Sequence, residues 1–221
     1  MKKRIFSLIL SVVILATSFT ALAQDTAVKK VVPVPAYAAT LLEELGIMNS
    51  TEANTDREVQ RGYLAEILLK LLKIDGGTAT GNYYSDVTAD STNAYAIEKM
   101  TELGYFRGVG GGVFNPDGYI AVNDTARLIL QLAGYGVALS NPTVTNEIYK
   151  NVGVSGVTTY RDLAHMIFNV FNMNAMSVTE LTQSGGNFSV NKNLTVMADL
   201  FDVYEVKGTV VENDITGLWV E

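Results

Sequence analysis

The 221-residue chain contains no cysteine and a single histidine, His165. Without cysteine it can have no disulfide framework, thiolate zinc site, iron–sulfur cluster or cysteine nucleophile, and one histidine excludes a multi-histidine metal site. We therefore expect no cofactor and no metal. His165 lies between two apolar helix positions with no recognisable serine nucleophile motif, so we interpret it as structural rather than catalytic.

Basic residues are outnumbered by acidic ones. The chain has 16 Lys and Arg and 23 Asp and Glu, which gives a net charge of -7. Such a chain is poorly suited to neutralising the phosphates of duplex DNA, and we expect no nucleic-acid partner. With 48% hydrophobic and 18% charged residues it is nevertheless too apolar to be disordered. The length allows one large or two small domains.

Long apolar runs are confined to the start of the chain. Residues 2–4 are basic, residues 5–15 are apolar apart from two serines, and residues 21–23 read Ala-Leu-Ala. This order is typical of a secretory signal peptide that is cleaved after residue 23, and the run is short for a retained membrane anchor. We predict a secreted protein with no membrane contact after cleavage.

The chain also repeats itself. Residues 36–48 read AYAATLLEELGIM and residues 94–106 read AYAIEKMTELGYF, matching at six positions with a constant offset of 58. A second amphipathic segment follows each, and a third copy of it comes later, with apolar positions spaced as on one face of an α-helix. We expect the three faces to meet in a central three-helix bundle. The positions are Leu64, Ile67, Leu68, Leu71 and Leu72, then Thr125, Leu128, Ile129, Leu132 and Ala133, then Leu163, Met166, Ile167, Val170 and Phe171.

The connections between the paired helices differ among the copies. Copy two has a glycine-rich loop at residues 108–118, in which we expect positive φ angles and a buried Phe114. Copy three replaces this loop with a tight turn around Gly156. Glycine follows the end of each first helix and predicts a left-handed C-terminal cap. These glycines are Gly46, Gly104 and Gly153.

Copy two resembles the S-layer homology motif. Residues 83–120 contain an aromatic-x-Asp-Val opening, an Ala-Tyr-Ala-Ile helix, a Gly-aromatic-aromatic-x-Gly turn and a Gly-x-Phe-x-Pro loop. Copies one and three are similar to the motif in part. The resemblance implies a mainly α domain over residues 24–175, in which three such repeats form a pseudo-threefold spindle with the second helices at its centre. The repeats would span about residues 31–75, 83–135 and 143–173.

The same resemblance implies a function. In similar proteins the grooves between repeats bind a secondary cell-wall polysaccharide with acidic, typically pyruvylated, sugars. This binding tethers exported proteins to the cell wall or S-layer of Gram-positive and related bacteria. A Thr-Arg-Ala-Glu tetrad starts each second helix in the family, and its arginine meets the anionic sugar.

Only one of the three aligned tetrads keeps the family arginine. Residues 60–63 read Gln-Arg-Gly-Tyr, residues 121–124 read Ala-Val-Asn-Asp and residues 159–162 read Thr-Tyr-Arg-Asp. Arg61 is therefore the expected anion-binding residue, and Arg161 is displaced by one position. At most one groove therefore has an arginine in the position that binds the anionic sugar. The third tetrad predicts a capping box, whereas the second helix of copy two should cap with Asn123 or Asp124.

Three further residues are candidate sugar contacts. Tyr37 and Tyr95 fall where an aromatic ring flanks the family's groove, although packing between helices explains them equally well. Asp86 could accept a sugar hydroxyl, or it could cap the helix that follows it.

The C-terminal part differs from the repeats in its composition. Residues 176–193 are rich in Ser, Thr and Asn and are predicted to be a linker, and residues 194–204 look helical. Residues 206–220 form two short apolar runs around an Asn-Asp turn and predict a β-hairpin. A lone hairpin is only marginally stable, so this tail, with Trp219, should pack on the repeats, join another chain or open a β domain.

The favoured interpretation is a non-enzymatic anchoring domain that binds an acidic wall polysaccharide through Arg61, with support from the two tyrosines. The alternative is a structural or assembly protein, in which degenerate repeats act as a scaffold and the C-terminal strands mediate self-association or contacts with a protein partner. The altered tetrads favour this alternative. Hydrolysis of glycan has little support, because no pair of catalytic carboxylates can be placed from the sequence.

Overall fold

The computed structural model describes residues 31–153, 156–182 and 185–204. The predicted signal peptide and the predicted hairpin at residues 206–220 lie outside these residues and stay predictions. The described part is mainly helical with a small two-stranded antiparallel sheet, which confirms the expected fold class at this level.

Seven α-helices, one 3-10 helix and two strands make up the described part. They are α1 (Ala36–Glu44), α2 (Arg61–Leu71), α3 (Ala94–Glu102), α4 (Val122–Leu132), the 3-10 helix (Tyr135–Ala138), α5 (Pro142–Ile148), α6 (Tyr160–Phe171), β1 (Asn174–Thr182), β2 (Gly185–Thr195) and α7 (Val196–Phe201). Each of α2, α4 and α6 begins at the second residue of its tetrad. These three helices carry the predicted apolar stripes.

The segments that lead into α2, α4 and α6 pair with one another in a closed order. Each of the three segments forms a single antiparallel bridge with each of the other two. The bridges join Gln60 to Tyr119, Ala121 to Val157, and Thr159 to Glu58. The starts of the three helices are therefore held side by side by main-chain contacts.

The same segments satisfy the first amides of these helices, which have no partner within the helix itself. The first N–H of each helix donates to a carbonyl of a different copy. The bonds run from Arg61 to Gly118 (2.8 Å), from Val122 to Gly156 (3.1 Å) and from Tyr160 to Arg57 (2.9 Å). We call this set of bridges and bonds the capping ring.

The apolar stripes lie beneath the capping ring. Leu64 and Leu163 are fully buried, and so is Thr125 at the equivalent position of the weaker middle stripe. The Thr125 hydroxyl lies 2.8 Å from that of Thr158, so the polar position in the core is satisfied. α4 packs against both α2 and α6.

Two of the three predicted glycine caps are confirmed. Gly46 and Gly104 have φ of 68° and 75° directly after α1 and α3. The prediction for Gly153 is wrong, because α5 ends at Ile148 and the left-handed residue is Asn151, with φ of 64°. Asparagine tolerates this conformation better than most residues, so it takes the role expected of glycine. Gly156 has the positive φ expected of the turn, 97°.

Of the two predicted N-terminal caps, one is confirmed and one is wrong. The capping box at α6 is confirmed, since Thr159 and Asp162 exchange side-chain and backbone hydrogen bonds. The predicted cap of α4 by Asn123 or Asp124 is wrong. The helix starts earlier, at an Ala121 N-cap without a side-chain bond, because the capping ring pairs Ala121 with Val157 and supplies the missing acceptor.

The predicted linker at residues 176–193 is also wrong, because β1 and β2 occupy most of it. The polar composition concealed a period-two pattern, and the register pairs Met176 with Val190 and Val178 with Phe188. The Tyr135 hydroxyl donates to the carbonyl of Asn174 and ties the base of the hairpin to the helices. Helix α7 follows within the stretch that looked helical.

Replacing Thr159 with alanine should lower the free energy of unfolding by about 1 kcal/mol, because the N–H of Asp162 loses its acceptor at the start of α6. The loss should appear as a lower urea midpoint when helical circular dichroism is followed. Gln60→Ala is the matched control, because Gln60 is the N-cap of α2 and makes no side-chain capping bond. Equal effects of the two substitutions would contradict the assignment.

Candidate functional site

The groove at Arg61 lies between the start of α2, the turn after α3 and the outer face of α4. Its volume is about 490 Å³. Its lining brings together three arginines and one carboxylate, so it is locally cationic in a chain whose net charge is -7. These residues are Arg61, Arg107, Arg127 and Asp124.

The guanidinium of Arg61 is held by the loops around it. Its Nε donates to the Phe114 carbonyl at 3.0 Å, and its Nη2 donates to the Arg107 carbonyl at 2.8 Å. The group also stacks over the rings of Phe106 and Phe114, at 4.6 Å and 4.7 Å from their centroids. These two bonds use two of the five N–H groups of the guanidinium, so the others can serve an anion.

Burial lowers the pKa of Arg61, and the nearby Tyr84, Asp124 and Asp86 partly offset this effect. Arginine titrates so far above neutral pH that the group keeps its charge. Arg61 is thus a half-buried, permanently charged group that is oriented before any ligand arrives.

The glycine loop lies beside Arg61 and lines the groove at Gly108. Phe114 is fully buried, as expected, and its ring packs against Tyr84 and Phe106 at centroid distances of 5.3 Å and 5.1 Å. Gly110, Gly111 and Gly112 all have positive φ, which lets the chain turn sharply before Phe114. The buried ring fixes the carbonyl that receives Arg61.

Asp86 holds this loop and does not cap a helix. Its carboxylate accepts the N–H groups of Phe114 at 2.9 Å and of Asn115 at 2.7 Å. Desolvation opposes ionisation, but these two N–H groups and the charge of Arg61 outweigh it, so the pKa of Asp86 lies below its ordinary value. The capping interpretation is wrong, because the N-cap of α3 is Asn93.

Sequence reasoning missed Arg107 and Arg127. Arg107 is the variable residue of the Gly-aromatic-aromatic-x-Gly turn, and its side chain is exposed at the rim. Arg127 is exposed on α4 one turn after Asp124, with 3.8 Å between its Nη2 and the carboxylate Oδ1. The i, i+3 spacing of Asp124 and Arg127 on one helix was the available signal for Arg127.

The two predicted tyrosines lie away from this groove. Tyr37 is 67% exposed and meets Phe168 edge to face at 5.5 Å. It lines a separate groove of about 510 Å³ beside α1 and α6, which we call the Tyr37 groove. Tyr95 is half-buried and faces Gly77, where an added Cβ would come within 2.5 Å of its ring.

Arg161 is engaged in a structural contact. Its guanidinium forms an ion pair with the carboxylate of Asp56 and donates to the carbonyl of Asn54. Only 15% of its side chain is exposed. It therefore links the start of α6 to the turn before α2, and its charge is already paired.

No group of three or more acidic or histidine side chains suited to a metal ion occurs among the described residues. His165 is buried. No helix in the described ranges is long and apolar enough to cross a membrane.

Residues 83–120 match the family model of the S-layer homology domain, which is a binding and anchoring domain. Such domains mediate anchoring to the cell wall and imply association with the cell surface or S-layer. No individual curated protein matches the chain.

Replacing Asp86 with asparagine should destabilise the domain at neutral pH by about 1 kcal/mol, because two backbone donors lose a charged acceptor on a largely exposed loop. The folded-state pKa is depressed, so this contribution is present above the ordinary value of 3.8 and is lost as pH falls below it. Urea midpoints of the parent and variant proteins should therefore converge in acid.

The exposed Asp90 provides the matched control, since Asp90→Asn changes the same charge in the same loop region. A gap between parent and D86N that stays constant down to low pH would contradict the role given to Asp86.

Proposed function

We propose that this protein attaches to the bacterial cell envelope by binding an acidic, pyruvylated secondary cell-wall polysaccharide in the groove at Arg61. The supporting observation is the convergence of Arg61, Arg107 and Arg127 on one groove. A planar guanidinium suits a carboxylate, because two parallel N–H groups can meet its two oxygens. The pyruvyl group of such a sugar carries this carboxylate.

Because the protein is acidic overall, binding of a polyanion depends on the arrangement of the arginines within the groove. A chain with a net charge of -7 repels a polyanion at long range, so attraction must act at short distance within the groove. The pre-oriented Arg61 meets this requirement, and the exposed Arg107 and Arg127 extend the cationic surface at its rim.

The capping ring supports the proposal that three repeats form a spindle. In that arrangement Val122 and Tyr160 occupy the places equivalent to Arg61. Neither can bind an anion through a charged side chain, and Arg161 is paired with Asp56. We therefore propose a single glycan groove, at the junction of copies one and two.

The other predicted site residues do not line the groove at Arg61. Asp86 positions the loop that orients Arg61, and Arg161 stabilises the start of α6. Tyr37 offers an exposed ring in its own groove, whereas Tyr95 packs against the chain. Secretion through residues 1–23 would bring the protein to the wall.

A second candidate function is that of an assembly scaffold whose repeats no longer bind glycan. The absence of an arginine from the family position in two of the three tetrads favours it. In this case the C-terminal region would mediate contacts with a protein partner or another copy.

The two candidates differ in wall binding. Residues 24–221 should co-sediment with wall sacculi, and this should cease when the secondary polymer is stripped. Arg127→Ala and Arg107→Ala should each weaken binding roughly tenfold, because each removes a charge from the groove. Added salt should weaken the binding of the parent protein as well.

The exposed Arg57 is a matched control, because it pairs with Glu52 and lies over the ring of Tyr160, outside the groove. Arg57→Ala should bind like the parent. Unchanged binding to sacculi stripped of the secondary polymer, together with unchanged binding of the Arg107→Ala and Arg127→Ala variants, would exclude glycan anchoring and leave the scaffold function.

A further inference from the structure

One carboxylate lies among the arginines of the groove at Arg61. Asp124 lines this groove together with Arg61, Arg107 and Arg127, and 60% of its side chain is exposed. Burial lowers the pKa of Arg61, and the charge of Asp124 is one of those that partly offset this effect. The two groups are therefore near enough for their charges to interact.

The start of α4 leaves this carboxylate without a capping role. Asp162 has the same place in the third tetrad, and there the aspartate is buried and accepts the hydroxyl of Thr159 at 2.9 Å. In copy two the N-cap is Ala121, which has no hydroxyl and makes no side-chain capping bond. The capping ring supplies an acceptor for the first amide of the helix instead. The carboxylate of Asp124 therefore belongs to the groove and not to the helix start.

Asp124 lies beside the guanidinium of Arg127. Its Oδ1 is 3.8 Å from Nη2 of Arg127, a distance too long for a hydrogen bond. On the other side, Nη1 of Arg127 donates to Oε1 of Gln131 at 3.3 Å. Arg127 is thus positioned along α4 between Asp124 and Gln131. An anion that binds its guanidinium comes close to the carboxylate of Asp124.

The charge and the hydrogen-bonding capacity of Asp124 restrict what the groove accepts. An ionised carboxylate has acceptor oxygens and no donor. It repels an incoming anion more strongly as the charge of that anion rises, and it stabilises only a ligand that offers a hydroxyl or N–H group. A sugar carboxylate satisfies both conditions, because its single charge lies next to hydroxyl donors. Sulfate has two charges and no donor, so it satisfies neither.

We propose that Asp124 determines the specificity of this groove by accepting a hydroxyl of a sugar carboxylate and by repelling anions that have no donor. The inference rests on the proposed binding of an acidic glycan at Arg61. It narrows the ligand to one class, a sugar with a single carboxylate and a free hydroxyl beside it. The arginines supply the attraction for the carboxylate, and Asp124 supplies the discrimination.

Two small anions test this assignment, methyl glucuronide as the sugar carboxylate and sulfate as the anion without a donor. Each would be titrated at constant ionic strength into residues 24–221 and into the Asp124→Asn variant. The readout is the amide NMR signals of Gly104 and Gly108, which line the groove. In the variant the ratio of the two dissociation constants should shift about tenfold in favour of sulfate, because the repulsion of its second charge and the charged acceptor for the sugar hydroxyl are both lost.

Asp90→Asn is the matched control, because Asp90 is exposed and lies outside the groove lining. It removes the same charge and should keep the ratio of the parent protein. Asp124→Glu retains the carboxylate and should also stay close to the parent ratio. An unchanged ratio in Asp124→Asn, or a shift of equal size in Asp90→Asn, would overturn the proposal. So would a failure of both anions to bind the parent protein.

This test is separate from the test of wall binding. If the ratio shifts as expected but co-sedimentation is the same with stripped sacculi, Asp124 keeps its role and the wall polysaccharide is excluded as the ligand. If co-sedimentation requires the polymer but the ratio does not shift, the anchoring function stands and the role given to Asp124 is wrong.

Discussion

The capping ring is the constraint on which the rest of this structure depends. A helix cannot satisfy its own first amides, and here each central helix obtains a partner for its first N–H from a different copy. One of the loops that supply these carbonyls also receives the side chain of Arg61, so the ring helps to set the position of the candidate site. Gly118, which receives the N–H of Arg61, belongs to the same loop as Phe114, which receives its side chain.

This arrangement gives the domain two kinds of surface. At Arg61 charged groups are oriented by aromatic rings and loop carbonyls, which suits an anionic ligand. At Tyr37 a separate groove beside α1 and α6 combines apolar side chains, such as Leu41 and Phe168, with polar ones, such as Glu147 and Lys150. Tyr37 lines this second groove and Tyr95 packs against Gly77, so neither predicted tyrosine joins Arg61 in one site.

The helices were largely predictable from the sequence, because the stripe periodicity and the internal repeat act over short distances. Arg61 was predictable through its place in a tetrad. The errors arise where distant segments decide. Ala121 starts α4 because another copy supplies the acceptor, and Arg161 is neutralised by Asp56, far away in sequence. The hairpin was missed because polar residues concealed its alternation.

The packing of Arg61 on Phe106 and Phe114 has a consequence for thermodynamics. Its side-chain entropy is lost when the protein folds, so a ligand does not have to immobilise it again. Under the proposed function, recognition of an anion at this groove is coupled to the local stability of the glycine loop. Conditions that loosen the loop would reduce affinity well before the domain unfolds, without altering any atom that meets the ligand.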